Sequence, residues 1–440
     1  MDMISVYKLH TLKINTHRSY SNKPEIVRQS ELVQALNSLH SLKISFIDEI
    51  LTNNFQKVNI NLEKLSTLSS VIHIFDFKSL KFLDLSWNLD MKSCKASALK
   101  FLSQQNNLKE FGLWESNGED FFKLLNFMNI ETKFSLEKFS FHNYEFTHHE
   151  ALIKFLNNQK TTLKSLKLDL ITITIQSIEQ MQKYALENLT ELKELDLFMH
   201  VADNVEGNYN EPFENDEPRF PNQITNKLEY LGYRRLHRTL DEDKNFIDKF
   251  GNLKILNLQT SYDKDCDLLN YISITKIGLE SLQLDMFLLD FIDWPRVYFP
   301  NLKKLSLNDY DGDYFHMKSI NDEVFSSFIA KHCKTLEEIS IRELQISQMT
   351  IDALASCKKL SYLELARTVK WIQGEAMSLP ILWSIIKMLK YLPHKYSRLT
   401  LKIASNTFYF PGDLMFWNQL FPTNLFKIKI GNLNSPNFYV

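Results

Sequence analysis

Glycine is scarce in this chain, with ten residues in 440. That scarcity argues against the glycine-rich nucleotide loops in which backbone amides close on a phosphate without an intervening Cβ. The nucleophile pattern G-x-S-x-G, which serves a sharp strand-to-helix turn, is also missing. Cysteine is scarcer still. Cys94, Cys266, Cys333 and Cys357 are too few and too scattered for a disulfide framework, so a reducing compartment is expected. Neither sign of charge predominates: 51 lysines and arginines against 53 acids leave a formal charge of -2, unlike the basic footprint of a nucleic-acid binder. No apolar run approaches the roughly 20 residues that span a bilayer. The opening MDMISVYKLHTLKI has an acid at position two and polar residues in every apolar stretch, which does not follow the plan of a secretion signal. These absences lead to the expectation of a cytoplasmic or nuclear chain with no membrane and no nucleic-acid partner. The one sequon, Asn188-Leu-Thr190, is expected by chance and is read as unused.

What the chain does have is apolar material, 44% of its residues against 24% charged, and that material is periodic. LKFLDLSWN sets Leu80, Leu83 and Leu85 in the order L-x-x-L-x-L, and the frame returns at Leu108, Phe111, Leu113 and at Leu136, Phe139, Phe141. It continues at Leu163, Leu166, Leu168, at Leu192, Leu195, Leu197 and at Leu253, Leu256, Leu258. Further units start at Leu228, Leu279, Leu302, Leu336, Leu360 and Leu425. From Leu80 to Leu192 the steps are 28, 28, 27 and 29 residues, near the upper end of the roughly 20–29 known for leucine-rich repeats, where a unit has room for a strand and a helix. Between the frames, ASALKFLSQQ, HHEALIKFLNNQ, SIEQMQKYALENL and NDEVFSSFIAKHC space their apolar residues as helices do. The frame residues alternate, so Leu83 and Leu85 point inward while Phe82, Asp84 and Ser86 point out. One unit cannot bury its leucines by itself, and stacking on a neighbour is what realises the burial.

The expected fold is therefore α/β: a leucine-rich-repeat solenoid bent into a horseshoe, with a parallel β-sheet on its concave face and helices on its convex face. A single solenoid is expected over residues 1–440. Irregular repeats cover 1–75, regular ones 76–199, an acidic insertion 200–223, further repeats 224–370 and degenerate repeats with a cap 371–440. LHTLKI, LHSLKI and, less regularly, NLEKLSTL read as early units, and YSRLTLKI and NLFKIKI as late ones. The insertion HVADNVEGNYNEPFENDEPRFPNQ replaces the apolar pattern with acids, asparagine and proline, as a surface loop does.

Candidate metal sites fail on spacing. Asp309, Asp311 and Asp313 with Gly312 resemble a calcium loop, but the glycine stands two places too early and no glutamate closes the loop. His142, His148 and His149 lack cysteine or carboxylate partners at ligand spacing, although Glu150 is near. Acid–base catalysis needs enclosure to shift carboxylate pKa values, and an open sheet offers little. No enzyme, cofactor or metal is expected. The outward strand positions remain: Phe82, Asp84, Trp114, His142, Asp169, Asp196, Phe198, Tyr230, Arg234, Asp285, Arg342, Tyr362 and Glu364. Aromatics and arginine predominate at binding hot spots, so these residues are the candidate contacts for a protein ligand on the concave face.

The helix-bearing repeats resemble the ribonuclease-inhibitor-like class. HCKTLEEISI and SCKKLSYLELA place Cys333 and Cys357 three residues before the frame, similar to the cysteine-containing repeat of F-box leucine-rich-repeat proteins, where the thiol packs as a small apolar group. ALKFLSQQNNLKEFGL and ALIKFLNNQKTTLKSLKL share with that family an F-L-x-x-Q helix end. The resemblance implies a region that captures a substrate for a Skp–cullin ubiquitin ligase. In that family an F-box precedes the repeats, whereas this chain enters a repeat by Leu9. Ligase subunits are therefore expected as partners only of a longer product that carries an F-box. The alternative is a free-standing repeat scaffold or inhibitor without a ubiquitin link.

Overall fold

A computed structural model describes residues 11–15, 41–45, 58–60, 64–68, 75–77, 80–87, 99–115, 118–146, 149–172, 175–201, 227–234, 240–260, 265–286, 292–308, 322–342, 348–366, 399–404 and 426–431. The chain divides into two compact units, Met1–Lys227 and Leu228–Val440. The acidic insertion, Asp309–Asp313 and His148 lie outside the described residues.

In the first unit the strands are β1 (Thr11–Asn15), β2 (Ser41–Ser45), β3 (Val58–Ile60), β4 (Lys64–Leu68), β5 (Phe75–Phe77), β6 (Phe82–Trp87), β7 (Glu110–Glu115), β8 (Lys138–Phe146), β9 (Ser165–Thr172) and β10 (Glu194–Val201). β1, β2, β4 and β6 to β10 pair in that order and all in parallel, while β3 and β5 form a separate parallel pair. Residues 99–103 are helical, and α1 (Gly118–Glu131), α2 (His149–Asn158) and α3 (Ile175–Asn188) follow between successive strands. Each frame residue lines up with the corresponding one on the next strand. Leu83, Phe111, Phe139, Leu166 and Leu195 form one row, and Leu85, Leu113, Phe141, Leu168 and Leu197 the next. All ten are buried, at roughly 1.5–3 kcal/mol for each side chain fully removed from water. Helix α2 closes on these rows with Ala151, Leu152, Phe155 and Leu156, and the Phe155 ring lies 5.0 Å from that of Phe139.

The second unit repeats the plan with β11 (Tyr230–Arg234), β12 (Ile255–Thr260), β13 (Ser281–Met286), β14 (Lys304–Asn308), β15 (Glu338–Arg342), β16 (Tyr362–Ala366), β17 (Leu399–Ala404) and β18 (Phe426–Gly431). These strands pair in sequence order and in parallel. Its described helices are α4 (Leu240–Asp248), α5 (Asp265–Thr275), α6 (Asp322–His332) and α7 (Gln348–Ala355). The alternation of parallel strand and helix in both units establishes the expected α/β leucine-rich-repeat fold, and LHTLKI, LHSLKI, NLEKLSTL, YSRLTLKI and NLFKIKI each supply a strand.

The expectation of a helix in every unit meets an exception. Leu279 and Leu302 are 23 residues apart, and among the described residues between their strands the chain forms turns at 294–296. Trp294, Val297 and Phe299 are buried there, with the Trp294 ring 4.8 Å from Phe328 of α6. The described part of this connection fills the layer with these bulky side chains.

Each rung is tied to its predecessor through the backbone. The amides of Lys109 and Glu110 both donate to the Lys81 carbonyl, and Glu137 with Lys138, Lys164 with Ser165 and Lys193 with Glu194 repeat the fork on the carbonyl one rung back. The second unit does the same from Lys254 and Ile255 through Ser361 and Tyr362. Among the described residues, two turns before a frame leucine are one residue longer than those before Leu108, Leu192, Leu279, Leu302 and Leu360. In QKTTL and HCKTL, the amides of Leu163 and Leu336 reach back four residues, to the carbonyls of Gln159 and His332, whereas those of Leu279 and Leu360 reach back three. Thr162 and Thr335 add hydroxyl hydrogen bonds to those same two carbonyls.

The longer turn corrects one part of the cysteine reading. Cys357 is buried as the resemblance implies, and burial pushes its thiol pKa up to about 12. Cys333 is only half-buried, because the extra residue hands the interior position to His332, which is 1% exposed.

Candidate functional site

On the face of the β6–β10 sheet turned away from the helices, the residue after each inner pair forms a row. The register aligns Ser86, Trp114, His142, Asp169 and Phe198 across β6, β7, β8, β9 and β10. Beside it runs a row of Asp84, Gly112, Ser140, Lys167 and Asp196. Four candidates thereby come into one connected group. The Trp114 indole N–H donates to Asp84 Oδ1 at 3.0 Å, and its ring lies 4.5 Å from the His142 imidazole, tilted by 36°. The far side of that imidazole bonds through Nδ1 to Asp169 Oδ2 at 2.6 Å. An ionised carboxylate can only accept, so Nδ1 carries the hydrogen, and the hydrogen bond sets the ring's orientation.

Gly112 is what lets the Asp84 carboxylate lie between the strands. A Cβ at that position would stand 2.9 Å from Asp84 Oδ1 and 3.0 Å from Ser140 Oγ. Glycine inside a strand weakens it and often marks a close approach of other groups. That is the signal by which Gly112 and Ser140, absent from the candidate set, could have been found. Although held at both ends, the Trp114 side chain stays 50% exposed. Asp196 is buried, and Lys167 Nζ stands 3.6 Å from its Oδ2. Phe82 is half-buried on β6. Phe198 lies beside Asp169 in the register, and its side chain is outside the described residues.

In the second unit Tyr362 and Glu364 meet on one strand, and Tyr230 stands apart from them. Tyr230 and Tyr362 share a row but stand on β11 and β16, with β12 to β15 between them. Tyr362 donates its hydroxyl to Glu364 Oε2 at 2.9 Å, and Ser340 donates to the same oxygen at 3.2 Å. Both candidates therefore interact within the sheet. Arg234, Asp285 and Arg342 fall on a third row together with Gln259 and Asn308, and their side chains are outside the described residues. His149 opens α2 with Glu150 in its first turn. Among the described residues no three His, Cys, Asp or Glu side chains are grouped to hold a metal ion.

Charge pairs line the sheet where the strands begin. Lys164 and Lys109 hold the Glu137 carboxyl below its ordinary pKa, with the Lys164 hydrogen bond the larger influence. In the second unit Glu229 raises Lys254 and Glu280 raises Lys303. These groups are exposed, so the pairs align rungs more than they stabilise them.

The fold thus defines a leucine-rich-repeat protein of the α/β class, and among the described residues no helix is long and apolar enough to cross a membrane. No family model matches the chain, and no curated protein does. Among solved structures it is similar to a chain of the yeast Rad7–Elc1 complex, at 18% identity and a TM-score of 0.40 over 86% of this chain and 84% of that one. An internalin, InlF from Listeria monocytogenes, is similar at 15% identity and a TM-score of 0.33, over 83% and 88% of the two chains. TLR13, in its complex with ssRNA13, is similar at 14% identity and a TM-score of 0.29 over 91% of this chain and 55% of its own. These superpositions are loose, and no residue here takes a role from them.

Proposed function

We propose that this chain is a binding protein that holds another protein against the helix-free face of β6–β10. Trp114 carries the reading. An indole half in water, fixed by an acid on one side and an imidazole on the other, has already lost much of the rotamer freedom that binding would otherwise remove. Rigid aromatics with one polar handle are the side chains that most often anchor an interface. In this reading Asp169 orients His142, and His142 supports the indole; the pair moves no proton, since acid–base work needs an enclosed site. The resemblance to F-box leucine-rich-repeat proteins supports a narrower role, the capture of substrates for a Skp–cullin ligase by a longer product that carries an F-box. The half-exposed Cys333 leaves one cysteine-type repeat instead of two, which favours a free-standing scaffold or inhibitor.

Affinity purification from a cell extract tests both levels, comparing the wild type with the double variant Trp114→Ala, Asp169→Asn. A protein recovered in stoichiometric amount with the wild type and lost from the variant is the expected result. Identical recovery by both would overturn the placement of the binding face. Cullin-ligase subunits in the wild-type eluate would support the narrower role, and their absence from the chain and from any longer product would decide for the scaffold.

A further inference from the structure

The chemistry around Trp114 says what kind of segment the face takes, and this inference rests on the binding face just proposed. The described outward side chains of β6–β10 include five acids, Asp84, Glu110, Asp169, Glu194 and Asp196, and two lysines, Lys138 and Lys167. Over those carboxylates and lysines the balance is 2 - 5 = -3. Both lysines are already committed to acids: Lys138 Nζ is 3.8 Å from Glu110 Oε1, and Lys167 Nζ is 3.6 Å from Asp196 Oδ2. The indole itself sits between Asp84 and the His142–Asp169 pair, so both of its flanks are acidic.

We infer that the occupant of this face is an arginine-bearing protein segment whose guanidinium lies on the exposed Trp114 ring between Asp84 and Asp169. A planar guanidinium stacks on an aromatic face and also bonds to carboxylates, two interactions that this group of residues offers side by side. An acidic segment would meet repulsion from both flanks of the ring. An apolar side chain could use the ring alone, whereas a guanidinium also bonds to the carboxylates beside it. Because the indole and imidazole are already fixed, association spends little on ordering them.

The test titrates the full chain by calorimetry with a short peptide alternating arginine and glycine, and with its glutamate counterpart. The arginine peptide is expected to bind at least about ten-fold tighter than the glutamate one, and to weaken steeply as salt is raised. Trp114→Ala is expected to lose most of that advantage. Asp84→Asn can still accept the indole hydrogen bond and so tests charge separately from geometry; it and Asp169→Asn are each expected to weaken binding about three-fold. Far-UV circular dichroism and melting of each variant establish that it is folded. Equal affinity for the two peptides, or arginine affinity unchanged in folded Trp114→Ala, would overturn the inference. If the peptides do not discriminate and the extract partner is still lost from the double variant, only the arginine chemistry falls. If the partner is retained as well, the binding face falls with it.

Discussion

The two units are built on the same inward ladder and differ in what they turn outward. Along β6–β9 the outward rows carry Asp84, Trp114, His142 and Asp169 in one linked chain. Along β12–β15 the row that corresponds to Asp84 reads Asn257, Gln283, Ser306 and Ser340, and the row that corresponds to Trp114, His142 and Asp169 reads Gln259, Asp285, Asn308 and Arg342, with no aromatic in either. Backbone pairing fixes the distance between rungs in both units and the frame leucines fill the interior, so the outward positions are free to differ without altering the fold. Repeat architecture separates the residues that build from those that bind, and the separation can be tested wherever the two units place different residues at the same rung position.

The largest expected difference lies inside. In the first unit the inner row runs Leu85, Leu113, Phe141, Leu168 and Leu197, all apolar, whereas the second unit begins its row with Tyr233. Tyr233 is buried, and its hydroxyl donates to Asp243 of α4, a carboxylate with no exposed surface. Tyr233→Phe keeps the ring against Phe246, 5.0 Å away, and removes a donor from a buried acid. It is expected to destabilise by about 1–3 kcal/mol, read by urea unfolding. Phe141→Leu, which removes more volume but involves no polar group, is expected to stay below about 1.5 kcal/mol. An equal loss in both would mean that the buried hydrogen bond contributes nothing beyond packing.

The longer turns sharpen the comparison through pH. Gln159 Oε1 accepts the Leu136 amide at 2.9 Å, and His332 Nε2 accepts the Phe299 amide at 3.0 Å while Nδ1 donates to the Phe328 carbonyl at 2.8 Å. The two side chains do the same work, clipping a turn to the rung before it, and only one of them can be protonated. Burial holds the His332 pKa below its ordinary value, and a protonated Nε2 could no longer accept the Phe299 amide. Above about pH 6.5 the imidazole is neutral folded and unfolded, and its contribution is complete. As pH falls below that value the unfolded chain binds a proton that the folded one refuses, so stability declines until the depressed folded pKa is reached, by at most about 1.4 kcal/mol per pH unit. Hydrogen exchange at pH 7.5 and at pH 5.5 should show the second unit losing protection around residues 297–299 and 328–336 while the turn at Gln159 does not change through this clip. His332→Gln should abolish that slope; a slope that persists would place its origin elsewhere.

Most of the fold was legible because it is repetitive. A frame seen at Leu80, Leu108, Leu136 and Leu163 constrains every rung, and even the weak NLEKLSTL proved to be a strand, β4. The exceptions were local. In the 23-residue step after Leu279 the described residues turn at 294–296 and fill the interior with Trp294, Val297 and Phe299, and one extra residue in HCKTL moved His332 into the place assigned to Cys333. The candidate site was legible position by position, since the outward residues follow from alternation. That Trp114, His142 and Asp169 meet while Tyr230 and Tyr362 do not depends on which strands are neighbours and on where side chains reach, and neither is contained in a single frame.

The smallest expected effect separates a glycine that serves the face from one that serves only the chain. Around Gly251, in the second unit, an added Cβ would meet nothing within 4 Å, whereas at Gly112 it would come 2.9 Å from the Asp84 carboxylate. Gly251→Ala is expected to be neutral or to stabilise by about 0.4–1 kcal/mol, by restricting the unfolded chain. Gly112→Ala gains the same restriction and the better strand propensity of alanine, but the new methyl displaces Asp84 from the indole N–H, and losing one such hydrogen bond costs about 0.5–1.5 kcal/mol. The two effects nearly offset, so the melting temperature should hardly move while the Trp114 indole N–H resonance shifts and its exchange with water speeds up. An unchanged indole signal in Gly112→Ala would show that Asp84 does not depend on the absent side chain, and that the outward group is less tightly assembled than its hydrogen bonds imply.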